Sequence, residues 1–335
     1  MLLLLIILII AAGLILTVSF VTYRLAFYNA NRIPDDPHRV PEGPKYDCLS
    51  AEIHPLIDDT LSLPYREIRI VSRDGLNLYA KLYSPDCIKN PEKFLSASWH
   101  PSENTTNTVS ILMHGWHGIA ERDFAAGVQI HLSHGDTVIL ADERAHNKSS
   151  GHTITFGIKE RYDLLDWINY AIDSFGSDVN LIIHGVSMGA ATVLMTSGLS
   201  LPANVKGVIA DSPYTSAKEI ISKIMNEKGI KANCVYPFVK LGALIFGHFD
   251  PDCAASVSAV KKNHLPVLFI HGTGDDFVPY EMSCRLYEAA NTPKLMLTVE
   301  NAPHVMSYLY DKERYYESMD RFYRMVRQQA SSHSR

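Results

Sequence analysis

HGVSMGA, residues 184–190, joins the apolar run Val179–Ile183 to a small, apolar, helix-prone run that begins at Ala190. Within it, Gly185-Val186-Ser187-Met188-Gly189 matches G-x-S-x-G, a pattern with three fixed positions that many tight turns satisfy. Its setting discriminates: a strand ends before it and a helix opens after it, which is where a nucleophile turn belongs. Such a turn strains the serine, and Gly185 and Gly189 are then needed because side chains there would collide with their neighbours. The competing reading is a serine in an ordinary small-residue turn. A hydroxyl is a poor nucleophile at neutral pH, so the first reading requires a base to take its proton and an acid to orient that base.

On a turn of this kind the partners follow the serine in the order acid, then histidine. HGTGDDFVP (271–279) follows the apolar run Pro266–Ile270 and offers Asp275 and Asp276; NAPHVMS (301–307) follows Lys294–Val299 and offers His304. The chain has 15 histidines, so it is position after the last strand that singles out His304. Asp275 lies nearer its strand end and is the expected acid, with Asp276 as the fallback or as a cap on the following turn. A tetrahedral oxyanion needs two aimed N–H donors. Met188, at the helix start, supplies one; Trp116, in HGWHG (114–118) after the run Thr108–Met113, supplies the other, its indole facing the substrate pocket. His114 and His117 form an HxxH, but no adjacent acidic or cysteine ligand completes it, and no metal or cofactor is expected. His184 is expected to be a packing or hydrogen-bonding neighbour of the turn, not its base.

Around these loops, short apolar runs alternate with helical stretches: Thr108–Met113 then Arg122–Leu132, Thr137–Leu140 then Lys159–Phe175, Val179–Ile183 then Met188–Leu199. Val205–Ala210, Pro266–Ile270, Tyr280–Ala290 and Lys294–Val299 continue the series, and a closing helix runs from about Val305 to Arg327. This alternation predicts an α/β fold with a mostly parallel central sheet and helices on both faces. Tyr65–Val71 and Leu76–Tyr83, joined through Asp74-Gly75, predict an antiparallel hairpin ahead of it. The interval 214–263 lacks a strand but has helical apolar spacing, and reads as a cap over the strand ends. Its apolar residues, among them Ile224, Met225, Tyr236, Leu244 and Ile245, either receive an acyl or aromatic group or simply pack the cap onto the sheet.

The 335 residues carry a net charge of -5 and no block of like charge, which speaks against a nucleic-acid partner. Cys48, Cys87, Cys234, Cys253 and Cys284 form no framework spacing, so reduced thiols are the default, with Cys234–Cys253 a pair only in an exported protein. The first 21 residues, MLLLLIILIIAAGLILTVSFV, carry no charged side chain and as a helix span about 31 Å, against a hydrocarbon core of about 30 Å. Without a basic leader or a small-residue cleavage site, residues 1–23 read as an uncleaved single-pass anchor. Arg24, Arg32, Arg39 and Lys45 follow it, favouring a cytoplasmic domain. Residues 24–64, with Pro34, Pro37, Pro41, Pro44, Pro55 and Pro64, read as a linker without a long helix, and residues 65–330 as the globular body.

The set HGWHG, GVSMGA, HGTGDDFVP and NAPH resembles the α/β-hydrolase superfamily, and within it a bacterial membrane-anchored branch described as serine-aminopeptidase-like or esterase-like. The resemblance covers about residues 65–327. It implies a serine hydrolase in which Ser187 attacks an acyl carbonyl, His304 shuttles the proton, Asp275 holds the imidazolium, and the partner is a small acyl substrate. Carboxylic esters are the expected substrates; a peptidase or acyltransferase would use the same residues, and a non-catalytic binding protein would be expected to lack one of them. Residues 141–168 are similar to a family segment that usually reads Arg-Gly-His-Gly-Lys-Ser. Here Ala145 and Asn147 stand at the glycines, which implies that position 145 needs no left-handed backbone. This segment and Asp211-Ser212-Pro213 are expected to be structural.

Overall fold

The computed structural model describes residues 1–30, 36–40, 43–47, 49–100, 103 and 107–333; Arg32, Pro34, Pro41 and Cys48 lie outside the described residues. Eight strands form one sheet: β1 (Arg66–Val71), β2 (Asn77–Tyr83), β3 (Thr108–Met113), β4 (Thr137–Asp142), β5 (Asn180–Val186), β6 (Val205–Asp211), β7 (Val267–Gly272) and β8 (Lys294–Val299). Their order is β1-β2-β4-β3-β5-β6-β7-β8. β2 pairs antiparallel with both β1 and β4, and the remaining pairs are parallel. Every residue of β3 and β7 is buried, as expected of strands covered on both faces. One face packs on Leu164, Trp167, Ile168, Val193 and Leu194, the other on Val128, Leu132, Phe322 and Tyr323.

Helix boundaries depart from the sequence reading where loop chemistry intervenes. The stretch expected as one helix from Arg122 to Leu132 is two, Ala120–Asp123 and Gly127–Ser133, because the Asp123 carboxylate turns back to accept from the Gly115 N–H at 2.9 Å. The closing helix breaks as well. A turn, Ser307–Tyr310, precedes Lys312–His333, and Asp311 accepts from the Arg314 N–H at 3.1 Å, as a helix cap does.

The segment read as a linker also differs: Ser50–Ser62 is helical with Pro55 inside it. An interior proline costs about 3 kcal/mol, but Ile53 and Ile57 recur at helical spacing and are buried on the domain, contributing about 1.5–3 kcal/mol each. Packing therefore overrides the local preference. Between β6 and β7 lie the helices Ala217–Glu227, Ala232–Phe246 and Ser256–Ala259. Ser216 caps the first by accepting from the Glu219 N–H at 3.2 Å. The amino-terminal helix runs Leu2–Ala26, and its last turns pack on the Ala232–Phe246 helix. Cys87, Cys234, Cys253 and Cys284 are free thiols.

Candidate active site

The loops that follow β3, β5, β6, β7 and β8 converge at the carboxyl ends of the strands, where open α/β sheets place their ligands. Ser187 follows β5 with φ 55° and ψ -114° and opens the helix Met188–Ser197, an unfavourable backbone for a residue with a Cβ. The glycines beside it answer to space. A Cβ on Gly185 would lie 2.1 Å from the Gly189 carbonyl oxygen, and one on Gly189 would lie 1.9 Å from that of Met113. β6 ties the turn down, its Asp211 carbonyl accepting from the Ser187 N–H at 2.8 Å.

His304, after β8, lies with Nε2 2.8 Å from Ser187 Oγ and Nδ1 2.6 Å from Asp275 Oδ2. These contacts assign the tautomer: Nδ1–H donates to the carboxylate, leaving Nε2 to accept from the serine hydroxyl. In this order the imidazole can take the hydroxyl proton while the carboxylate holds the resulting imidazolium. Of the two aspartates, only Asp275 meets the histidine. It is also Asp275, not Asp276, that closes the next turn, its Oδ1 accepting from the Phe277 and Val278 N–H groups at 2.9 and 2.8 Å. Asp276 points outward onto Lys45. Burial alone would raise the Asp275 carboxyl, but the charge of His304 and the hydrogen bonds from His271 and His304 hold it well below the usual carboxylate range.

Trp116 and Ser187 line a cavity of about 410 Å³ with Gly115, His304, Phe277 and Tyr46. The Trp116 indole N–H is buried without a hydrogen-bond partner among the described residues. Met188 is the first residue of its helix, so its N–H has no acceptor one turn back. His114 of the HxxH is committed to the backbone, its Nδ1 2.8 Å from the Gly115 carbonyl and its Nε2 accepting from the Glu143 N–H at 3.0 Å. His184 bonds to His131 at 2.9 Å and lies behind the turn.

Several contributors were not singled out by the sequence reading. His271 places Nε2 3.1 Å from Asp275 Oδ2 and 2.9 Å from the Val278 carbonyl, while its Nδ1 meets Ser283 Oγ at 2.6 Å. Tyr46, from the segment read as linker, lines the same cavity as His304, with its hydroxyl close to the His304 backbone N–H. Burial and the charge of Asp275 push that phenol up to about 12, against the pull of the N–H. Asp123 fixes the HGWHG loop through Gly115. Ala145 corrects an expectation: its φ is 64°, so the position is left-handed even without glycine. Hydrogen bonds of 2.9 Å to the Ser150 carbonyl and from Asn29 Nδ2 hold it there, and Arg144 beside it is clamped by Asp163 and Asp74. These bonds offset the roughly 1–2 kcal/mol cost of that conformation.

A family model described as alpha/beta hydrolase fold matches residues 111–229, the span from β3 through the first cap helix. The match supports assigning the chain to the α/β-hydrolase superfamily. Among its relatives, the uncharacterized protein YqkD of Bacillus subtilis is 28% identical over 222 residues, covering 65% of this chain and 72% of that protein. An uncharacterized membrane protein of Saccharomyces cerevisiae, YNL320W, is 25% identical over 239 residues, covering 71% and 72%. The Pyrococcus furiosus esterase Pf2001 superposes with a TM-score of 0.59 at 21% identity, covering 89% of this chain and 98% of its own. An acylaminoacyl peptidase of Pyrococcus horikoshii superposes at 0.53 and 15%, covering 78% and 41%. At such identities the structural likeness speaks for the fold alone.

Proposed function

We propose that this α/β-hydrolase is a membrane-anchored serine hydrolase that cleaves carboxylic esters. The observation that carries the reading is the continuous hydrogen-bonded chain from Asp275 through His304 to Ser187, with contacts of 2.6 and 2.8 Å. Ser187 Oγ attacks the ester carbonyl as its proton passes to His304 Nε2, and Asp275 stabilises the imidazolium. The oxyanion is received by the N–H groups of Met188 and Trp116, where losing one donor typically costs about 3–4 kcal/mol of transition-state stabilisation. The imidazolium protonates the departing alkoxide. Water, activated by the same histidine, then releases the acid from the acyl-enzyme.

The Leu2–Ala26 helix supports anchoring, being long and apolar enough to cross a bilayer, with a mean hydropathy of 3.1 over its most apolar 18 residues, and one relative is named as a membrane protein. Arg24, Arg39 and Lys45 after the helix favour a cytoplasmic domain, which protease access in intact and lysed cells tests. Esters are the first reading by analogy with other enzymes of this fold, and amides, which the same three residues could cleave, are the second. Turnover of a p-nitrophenyl ester panel beside aminoacyl anilides separates them. Ester cleavage lost in Ser187→Ala supports the proposal, and cleavage of anilides alone replaces esters by peptides.

A further inference from the structure

The amino-terminal helix is not a loose tether. Residues 2–18 are exposed along their whole length, whereas Ser19 and Tyr23 are buried against the domain. A Cβ on Gly242 of the Ala232–Phe246 helix would lie 2.2 Å from the Ser19 carbonyl oxygen, so the two helix backbones are in direct contact. Phe246 packs on Phe20 and Tyr23 with ring centroids 5.1 and 5.9 Å apart. Beyond the helix, Phe27 packs on Phe156 and Phe249 at 5.8 and 5.1 Å, and the Asn29 N–H donates to the His152 carbonyl at 2.8 Å. The domain is thereby fixed in orientation relative to the helix.

The exposed stretch Leu2–Val18 spans about 25 Å as a helix, close to the roughly 30 Å of a hydrocarbon core. The polar boundary therefore falls near Ser19–Arg24, where the exposed Arg24, stacked on Tyr28, supplies the basic and aromatic pair that favours a membrane interface. The cap helix packs at that level. On it, Leu244 and Ile245 are 43% and 39% exposed. Behind them one apolar cluster runs without a break from Tyr23 and Phe27 through Tyr236 and Val239 to Met188, the residue after Ser187. A narrow cavity of about 20 Å³, lined by Met188, Tyr214, Ile220 and Ile224, opens on Ser187 from the cap side.

We propose that the Ala232–Phe246 helix lies in the lipid interface and that the site takes its substrate from the bilayer, as a long-chain acyl ester entering beneath the cap. The proposal rests on the anchored-hydrolase reading and names its substrate class. The ester C–O bond breaks as Ser187 Oγ bonds to the acyl carbon, the alcohol leaves with the proton held by His304, and water releases a fatty acid.

The test uses the full chain reconstituted in phosphatidylcholine vesicles, presented with a fluorogenic long-chain acyl ester embedded in the same vesicles and with soluble p-nitrophenyl butyrate. Leu244→Asp with Ile245→Asp is expected to slow the embedded ester about 10-fold or more and to leave the soluble ester within about twofold. Loss on neither ester, equal loss on both, or a wild type that cleaves only the soluble ester overturns the lipid proposal and leaves the hydrolase reading intact. If neither ester is cleaved and a fluorophosphonate does not label Ser187, the hydrolase reading itself fails. A phosphatidylcholine with a photoactivatable acyl chain gives a readout independent of activity: crosslinks within residues 232–246 are expected, and their absence contradicts the placement.

Discussion

His271 and His304 converge on a single oxygen, Asp275 Oδ2, at 3.1 and 2.6 Å. His271 is itself held by Ser283 and the Val278 carbonyl, so it fixes the carboxylate that in turn fixes His304. It touches no reacting atom and acts as a positioning residue. His271→Ala is expected to lower kcat for ester hydrolysis about 10-fold with little change in KM, since the substrate cavity is unaltered. A matched change in KM would place His271 in binding instead.

The two neighbouring aspartates separate cleanly. Asp275→Asn loses the charge that stabilises the imidazolium and lets the imidazole take the wrong tautomer, so kcat is expected to fall about 10³- to 10⁴-fold. Asp276→Asn, at an exposed site on Lys45, is expected to stay within about twofold. Steady-state kinetics on one ester checks both, and a reversed ranking would reassign the acid.

Gly189→Ala drives a methyl group into the Met113 carbonyl oxygen, 1.9 Å away in the present backbone. β3 and β5 are both central, so the clash cannot relax cheaply. A loss on the order of 3 kcal/mol is expected, with activity lost in parallel; an unchanged melting temperature would contradict the packing account.

Two buried carboxylates bend the pH dependence of stability in opposite directions. Burial raises Asp211 to about 6. Its folded form holds a proton that the unfolded chain has released, so stability falls as pH rises from about 4 to 6, by on the order of 3 kcal/mol. Asp275 is depressed in the fold, so its contribution is present above about pH 4 and is lost as pH falls below that. Asp211→Asn removes only the first effect. Its melting temperature is expected to gain on wild type between pH 4 and about 6.5 and then to hold a constant lead; a pH-independent difference would contradict this.

What was legible in the sequence divides along physical lines. Thr108–Met113 and Lys294–Val299 stand out as strands because apolar runs in a covered sheet are set locally, and Ser187, Asp275 and His304 stand out because each follows such a run. Ser50–Ser62 does not, since its helix depends on burying Ile53 and Ile57 against distant partners and is disguised by Pro55. The break after Asp123 depends on a bond to Gly115, the left-handed Ala145 on bonds to Asn29 and Ser150, and Tyr46 reaches His304 across most of the chain. The Gly115–Asp123 bond closes within one loop and the helical turn after it, and none of the three leaves a periodic trace. The paired imidazoles on Asp275 were within reach of closer reading, because His271 lies four residues before it at the end of the same strand.

The most direct test of the account is fluorophosphonate labelling of the full chain, read by intact mass and peptide mapping. The account predicts one adduct on Ser187, absent in Ser187→Ala and formed far more slowly in His304→Ala. A wild type that takes up no probe, or a Ser187→Ala chain that labels equally, would contradict it.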